Sequence, residues 1–238
     1  MKRVDEDEPI PVLTTILALL QTVGASPVID GRRLFVGDGC YVTAASDPSA
    51  APAGKVLRRV ERIGRDRLMI TVASRFNGGP LMISTLKVGL SDLHPIETIE
   101  KTDGRTRLLV RYRDGRAVGK TYAEDGDATT SAKALTGPLW DGETLEFALT
   151  TLPFAEGAHF DIPVFQFERG SAVSRIDVTG TRTVAIDGVD RDAWVVTATM
   201  RSALLVTFLV GKADRRLLAV DIGEVRSSLG GNCAELMK

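Results

Sequence analysis

The chain has 238 residues, 44% of them hydrophobic and 26% charged, with a formal net charge of −1. That length can bury a sizeable core as one domain or two small ones. There is no basic excess to neutralise phosphates and only 5% aromatic residues for stacking, so nucleic acid is not an expected partner.

In chain order, the first candidate element is "PVLTTILALLQTVGASP" at 11–27. Val12 to Val23 would form the apolar core of a signal peptide over residues 1–25, with Val23-Gly24-Ala25 before a cut at Ser26. The run is shorter than the roughly 18–20 apolar residues that a spanning helix needs. Asp5, Glu6, Asp7 and Glu8 stand where a basic stretch is expected. The alternatives are a short terminal helix packed on the domain, or a translation start further along. Export is favoured, to the periplasm or cell envelope; without a cleaved leader the expected location is the cytoplasm. Residues 26–238 then read as a single β-rich domain.

"RRLFVGDGCYVTAA" predicts a strand, a Gly-Asp-Gly turn and a second strand. "SDPSAAPAG" (46–54) is a loop. From Lys55 the strands come in series through "KVLRRVERIG", "DRLMITVASRF", "LMISTLKVG", "PIETIEKT", "TRLLVRYR" and "AVGKTYAE". Gly64-Arg65-Asp66, Asn77-Gly78-Gly79, Asp103-Gly104 and Asp114-Gly115 punctuate them. Strands at this spacing with such turns predict an antiparallel meander.

One turn in that series, Gly119-Lys120-Thr121, spells the end of a phosphate-binding loop. Such a loop needs a glycine five residues before Gly119, and that position holds Asp114, whose carboxylate would face the phosphates. Leu108, Val110 and Tyr112 alternate with Leu109, Arg111 and Arg113, a strand with one wet face. No amphipathic helix follows. Asp114-Gly115 instead predicts a two-residue hairpin turn, and no nucleotide.

"DGETLEFALTTLP" places Leu145, Leu149 and Leu152 at helical spacing with Pro153 as a stop, predicting a helix over 141–152. Strands then resume in "AHFDIPVFQF", "VSRIDVTGTRTVAID", "DAWVVTATM", "ALLVTFLVG" and "RRLLAVDIG". Trp194, Val196, Ala198 and Met200 share one face of their strand, which is expected to lie against the helix. "LLVTFLV" is apolar on both faces and is therefore predicted to be the most central strand.

Catalytic signatures are not found. His94 and His159 lack the company of ligands that a metal site needs. No Gly-x-Ser-x-Gly elbow surrounds a serine, and Ser171 simply follows Gly170 near a turn. Asp187, Asp190 and Asp192 depart from calcium-loop spacing and read as a solvated hairpin tip. Arg58-Arg59 and Arg215-Arg216 read as strand edges kept soluble. Cys40 and Cys233 are even in number, which permits one bridge, in an exported chain, but does not demand it. No catalytic residue, cofactor or metal is expected.

The second half resembles the DUF3108-type proteins of bacteria. The resemblance rests on Leu152-Pro153, Glu156-Gly157, Val178-Gly180-Val184, Trp194 and Asp214-Arg215-Arg216-Leu217-Leu218, with the "DGRAVG" hairpin before the helix. It spans roughly 55–225, and the acidic N-terminal stretch departs from it. It implies a mainly β fold, an antiparallel meander curled into a half-barrel or open barrel around the helix, in exported proteins of unknown activity. By fold analogy alone, half-barrels of lipoprotein-sorting proteins carry lipid in their concave face. The expected function is a non-enzymatic envelope binding module for an apolar ligand or lipoprotein moiety, with Trp194, Val196 and Phe208 as candidate contacts. The alternative is a domain that docks an envelope protein through an exposed sheet edge; a hydrolase is the least favoured reading.

Overall fold

Positive-φ turn pairs set the rhythm of the sheet. At Asp103-Gly104, Asp114-Gly115 and Asp187-Gly188 both central residues have φ between 45° and 78°. That is the geometry whose twist matches a two-residue hairpin. The protein is described by a computed structural model over residues 28–45, 52–199 and 204–237. The signal-peptide reading of 1–25, and Met200, lie outside the described residues.

The first eight strands are β1 (Gly37–Ala45), β2 (Gly54–Arg62), β3 (Arg67–Phe76), β4 (Met82–Gly89), β5 (Pro95–Thr102), β6 (Arg105–Arg113), β7 (Arg116–Tyr122) and β8 (Ala128–Ala134). A two-residue β9 (Trp140–Asp141) leads through a 3-10 turn, Gly142–Thr144, into α1 (Leu145–Thr150). Then come β10 (His159–Gln166), β11 (Gly170–Ile186), β12 (Val189–Thr199), β13 (Leu205–Gly211), β14 (Leu217–Ile222) and β15 (Val225–Leu229). All fifteen described strands join one sheet in the order β8-β7-β6-β5-β4-β3-β2-β1-β15-β14-β13-β12-β11-β10-β9. Every neighbouring pair is antiparallel except β9 and β10. The meander is therefore as expected, and β1 pairing with β15 stitches its two runs together.

The sheet curls around α1 but does not close. Leu145, Phe147, Ala148, Leu149 and Leu152 enter a large buried cluster with Val60, Leu68, Ile70, Leu86, Ile162, Ile176 and Val196. Where the two ends of the sheet approach each other, side chains bridge the gap. Phe165 and Phe167, at the end of β10, pack with Leu108, Val110 and Ala117 of β6 and β7. Arg107 pairs with Glu168 at 3.1 Å across the same seam.

Four expectations need correction. Residues 31–33 form a 3-10 turn and Gly37-Asp38-Gly39 lies inside β1, because Asp30 caps that turn through Arg32 N. The helix is shorter than 141–152, since Asp141 ends β9 and caps the 3-10 turn. β13 is not central; β1 is the eighth of fifteen. β13 is buried along most of its length, and the long β11–β12 pair beside it shifts register at a bulge next to Gly180. Arg182 then pairs with Asp221 of β14 at 3.8 Å, and Ile186 joins Leu209 and Leu218 in the buried cluster. Finally, Arg58 is no soluble edge residue: β2 is interior and Arg58 points at the helix.

Candidate functional site

The start of α1 is pinned to the sheet by one carboxylate. Asp141 Oδ2 accepts hydrogen bonds from the hydroxyls of Thr98 (2.8 Å) and Tyr112 (2.5 Å), while its Oδ1 caps the turn by accepting from Glu143 N at 2.9 Å. Burial pushes the Asp141 carboxyl up, and these three donors oppose the shift. The Tyr112 hydroxyl is also pushed far up, first by burial and then by Asp141. Both groups are committed to holding the helix in place.

One turn further, Glu146 meets Arg58 of β2 in a two-pronged pair at 2.6 and 2.9 Å. The Arg58 guanidinium lies over the Tyr41 ring at 4.4 Å, and its Nη1 is buried without a hydrogen-bond partner. Tyr41 donates to Leu217 O at 2.8 Å, and burial raises its hydroxyl to about 12. Strands β1, β2 and β14 are thus tied to α1 through polar groups on the concave face.

Beside this clamp lies a cleft of about 330 Å³. Its walls are largely apolar: Val56 and Val72 from β2 and β3, Leu145 from the helix, and Val206, Phe208 and Val220 from β13 and β14. Phe76 and Ile222 stand at its rim, and Met82, Leu205 and Val225 are exposed at the same end of the strands. Arg58, Glu143 and Gln166 also line it. Glu143 and Gln166 in turn line a second, polar hollow of about 160 Å³ with Glu100, Arg107, Tyr112, Asp141 and Glu168. Glu143 reaches into water there, yet protein walls it on most sides. That desolvation, with the nearby Asp141, Glu100 and Glu146, lifts its carboxyl to about 7, against the pull of Arg107.

Of the residues named from sequence, Phe208 lines the cleft. Val196 is its cross-strand partner on β12 and is fully buried. Trp194 lies outside the cleft, half-buried on Phe154 just beyond the helix at 6.2 Å, with the Lys212 ammonium 4.7 Å from the ring centroid. Cys40 and Cys233 are joined in a disulfide with Cα atoms 5.5 Å apart. The His94 ring meets Trp140 in a tilted contact with centroids 5.0 Å apart, and His159 sits at the surface beside Asp177. Among the described residues no group of three or more His, Cys, Asp or Glu is placed to hold a metal.

Sequence reasoning missed Arg58, Glu143 and Gln166. Arg58 did carry a signal, because it shares a strand face with Val56 and Val60, where a lone charge requires a buried partner. Gln166 carried a weaker one, as the polar end of the face that Phe160, Ile162 and Val164 form on β10.

A family model described as "Protein of unknown function (DUF3108)" matches residues 50–223. Compared with curated proteins and with solved structures, the chain gives no match.

Proposed function

The chain belongs to the DUF3108 family, and from that premise we propose that it is a non-enzymatic binding module of the cell envelope, whose concave face takes an apolar ligand such as a lipid or a lipoprotein's acyl group. The observation that carries this reading is the open apolar cleft between α1 and the sheet. Its volume lies at the lower end of the range for ligand sites, and a few placed polar groups on apolar walls is the usual make-up of such sites. The Cys40–Cys233 bridge supports export, because disulfides persist in oxidising compartments. The best-placed polar groups, Asp141 and Tyr112, are held by structural bonds, which favours binding over turnover.

Native mass spectrometry of protein from its own host, alongside uptake of the uncharged probe N-phenyl-1-naphthylamine, tests the proposal. A bound apolar mass, displaced by the probe, is the expected result. Disulfide-intact protein with no bound mass and no probe uptake would overturn it.

One observation favours the alternative of docking through a sheet edge. β8 ends the sheet, and nearly all of it is exposed. Leu135 N bonds to Gly115 O and Ala123 N to Asp127 O, so the odd-numbered residues between them face β7. Ala128, Thr130, Ala132 and Ala134 therefore aim their backbone groups outward, ready to accept another strand. The one charge in β8, Lys133, turns inward to Phe167 O and leaves the edge unguarded. Thr130→Pro removes an outward N–H without breaking the ladder to β7. If docking is the function, this variant loses an envelope partner that the wild type retains on cross-linking; equal capture by both sinks the docking reading.

A further inference from the structure

The apolar cleft and the polar hollow beside it share two residues, Glu143 and Gln166. A ligand that filled both would be an amphiphile, with its chain on Val56, Val72, Phe208 and Val220 and its head at the junction. The chemistry of that head follows from which groups at the junction are already satisfied. Arg58 is paired with Glu146, and Arg107 with both Glu100 and Glu168. Asp141 holds Tyr112, Thr98 and the helix start. Arg169, which also lines the polar hollow, is engaged as well. Two side chains remain without a hydrogen bond or ion pair among the described residues, the Glu143 carboxyl and the Gln166 carboxamide.

The balance of charge around them is acidic. Glu100, Asp141, Glu143, Glu146 and Glu168 stand against Arg58, Arg107 and Arg169. Each carboxylate other than Glu143 already has its donor. An anionic head would have to lie beside Glu143 and Glu146, while a cation there would complete the one carboxylate that lacks a partner. Resting on the binding reading above, we infer that the cleft selects a long-chain amphiphile with a primary-amine head, whose ammonium group meets Glu143 while Gln166 accepts a second of its hydrogens.

Gly142 is part of the arrangement. A Cβ there would stand 2.5 Å from Gln166 Cγ, so glycine leaves room for the carboxamide at the junction. The rival is an anionic head drawn to the unpartnered Nη1 of Arg58. Burial of that atom behind the Glu146 pair and the Tyr41 ring disfavours it.

The sign of the pH dependence follows. The groups facing Glu143 are Asp141, Glu146 of α1, Glu100 of β5, Arg107 of β6, Arg58 of β2, and Glu168 and Arg169 between β10 and β11. Burial first, then the charges of Asp141, Glu100 and Glu146 against the pull of Arg107, lift the Glu143 carboxyl to about 7, so it is charged at pH 8 and mostly neutral at pH 5.5. An alkylammonium stays charged throughout.

The test is displacement of N-phenyl-1-naphthylamine by dodecylamine, dodecanol and dodecanoate, each below its micellar concentration, at pH 8 and pH 5.5. At pH 8 dodecylamine should bind about tenfold tighter than dodecanol, as one added ion pair allows, with dodecanoate weakest. The amine's advantage should shrink at pH 5.5. Glu143→Gln should abolish that advantage at pH 8; this side chain has no partner to lose, so the variant keeps the fold. Equal displacement by all three, or a lead for dodecanoate, overturns the amine assignment and leaves the binding reading standing. If the probe binds and none of the three displaces it, the cleft is not an alkyl site and both readings fail.

Discussion

At Gly119 a Cβ would overlap the outer edge of the Phe167 ring, which packs in the seam between the two ends of the sheet. The glycine of Gly-Lys-Thr is therefore explained by an aromatic neighbour 48 positions along the chain. Gly119→Ala must push a buried ring aside, so it should destabilise by about 1–3 kcal/mol, the range for overpacking. Lys120→Ala, one residue on and exposed, should change stability by less than about 0.5 kcal/mol. Urea midpoints of the two variants separate a packing glycine from a phosphate loop, which would make both residues dispensable for stability. Arg58 gives a sharper contrast. Arg58→Ala leaves Glu146 ionised in a half-buried site and should cost roughly 3–5 kcal/mol, whereas replacing Arg58 and Glu146 together by Met and Leu should restore most of that loss. A double variant no better than Arg58→Ala would show that the pair's partner, Tyr41, matters more than its charge. The alternation of Val56, Arg58 and Val60 holds the signal for the inner face, which the reading of Arg58-Arg59 as a soluble edge passed over; the identity of its partner lies 88 positions away and no local pattern encodes it.

The elements that sequence named best are those with alternation and a positive-φ turn on each side. β2 to β7 begin and end within a few residues of the predicted runs, because each strand has one wet face and one packed face. β8 escaped notice for the same physical reason: "ATTSAKA" covers nothing, so its residues carry no period. β15, "VRSSL", is nearly as featureless, yet it is the strand that joins the two runs of the sheet. The helix was legible from Leu145, Leu149 and Leu152, though not its length, since Asp141 is drawn away to Thr98 and Tyr112. Six residues cannot hold a helix alone, so α1 owes its stability to packing. Leu149, one residue before its end, is fully buried. Leu149→Ala should therefore cost about 2–5 kcal/mol, and helix and cleft should fail together, read as a loss of probe uptake at the same urea concentration that unfolds the sheet. Probe uptake that survives the loss of α1 would place the binding surface elsewhere. Trp194 belongs to the end of this element instead of its face, since its ring meets Phe154 after the helix has stopped.

Among the described residues, the first and last strands of the chain meet. β1 pairs with β15, and the described segments between them form the rest of the curl, so the sheet is continuous only when these two strands are brought together. The disulfide fixes the same junction from outside. Cys40 on β1 binds Cys233 across 193 positions, and Leu236, in the 3-10 turn that follows (Ala234–Met237), packs with Leu57 and Ala73 on the outer face. Sequence showed two cysteines in glycine-bearing segments; what it could not show is that Leu236 anchors the terminal segment against β2 and β3. Because so long a ring restricts the unfolded chain, its loss should destabilise by up to about 5 kcal/mol on the chain-entropy account. Leu236 still holds the terminal turn when the bond is cut, so the folded state should keep its cleft. Cys40→Ala with Cys233→Ala is the suitable variant, as alanine adds no unpaired polar group to this small apolar cluster. Its urea midpoint should fall well below that of the oxidised protein, and its denaturant slope should rise because the unfolded chain is more open. Reduced wild type should match the variant. A midpoint unchanged by both treatments would mean that β1 and β15 stay associated in the unfolded ensemble, and that the junction is held by the strands before the bond is made.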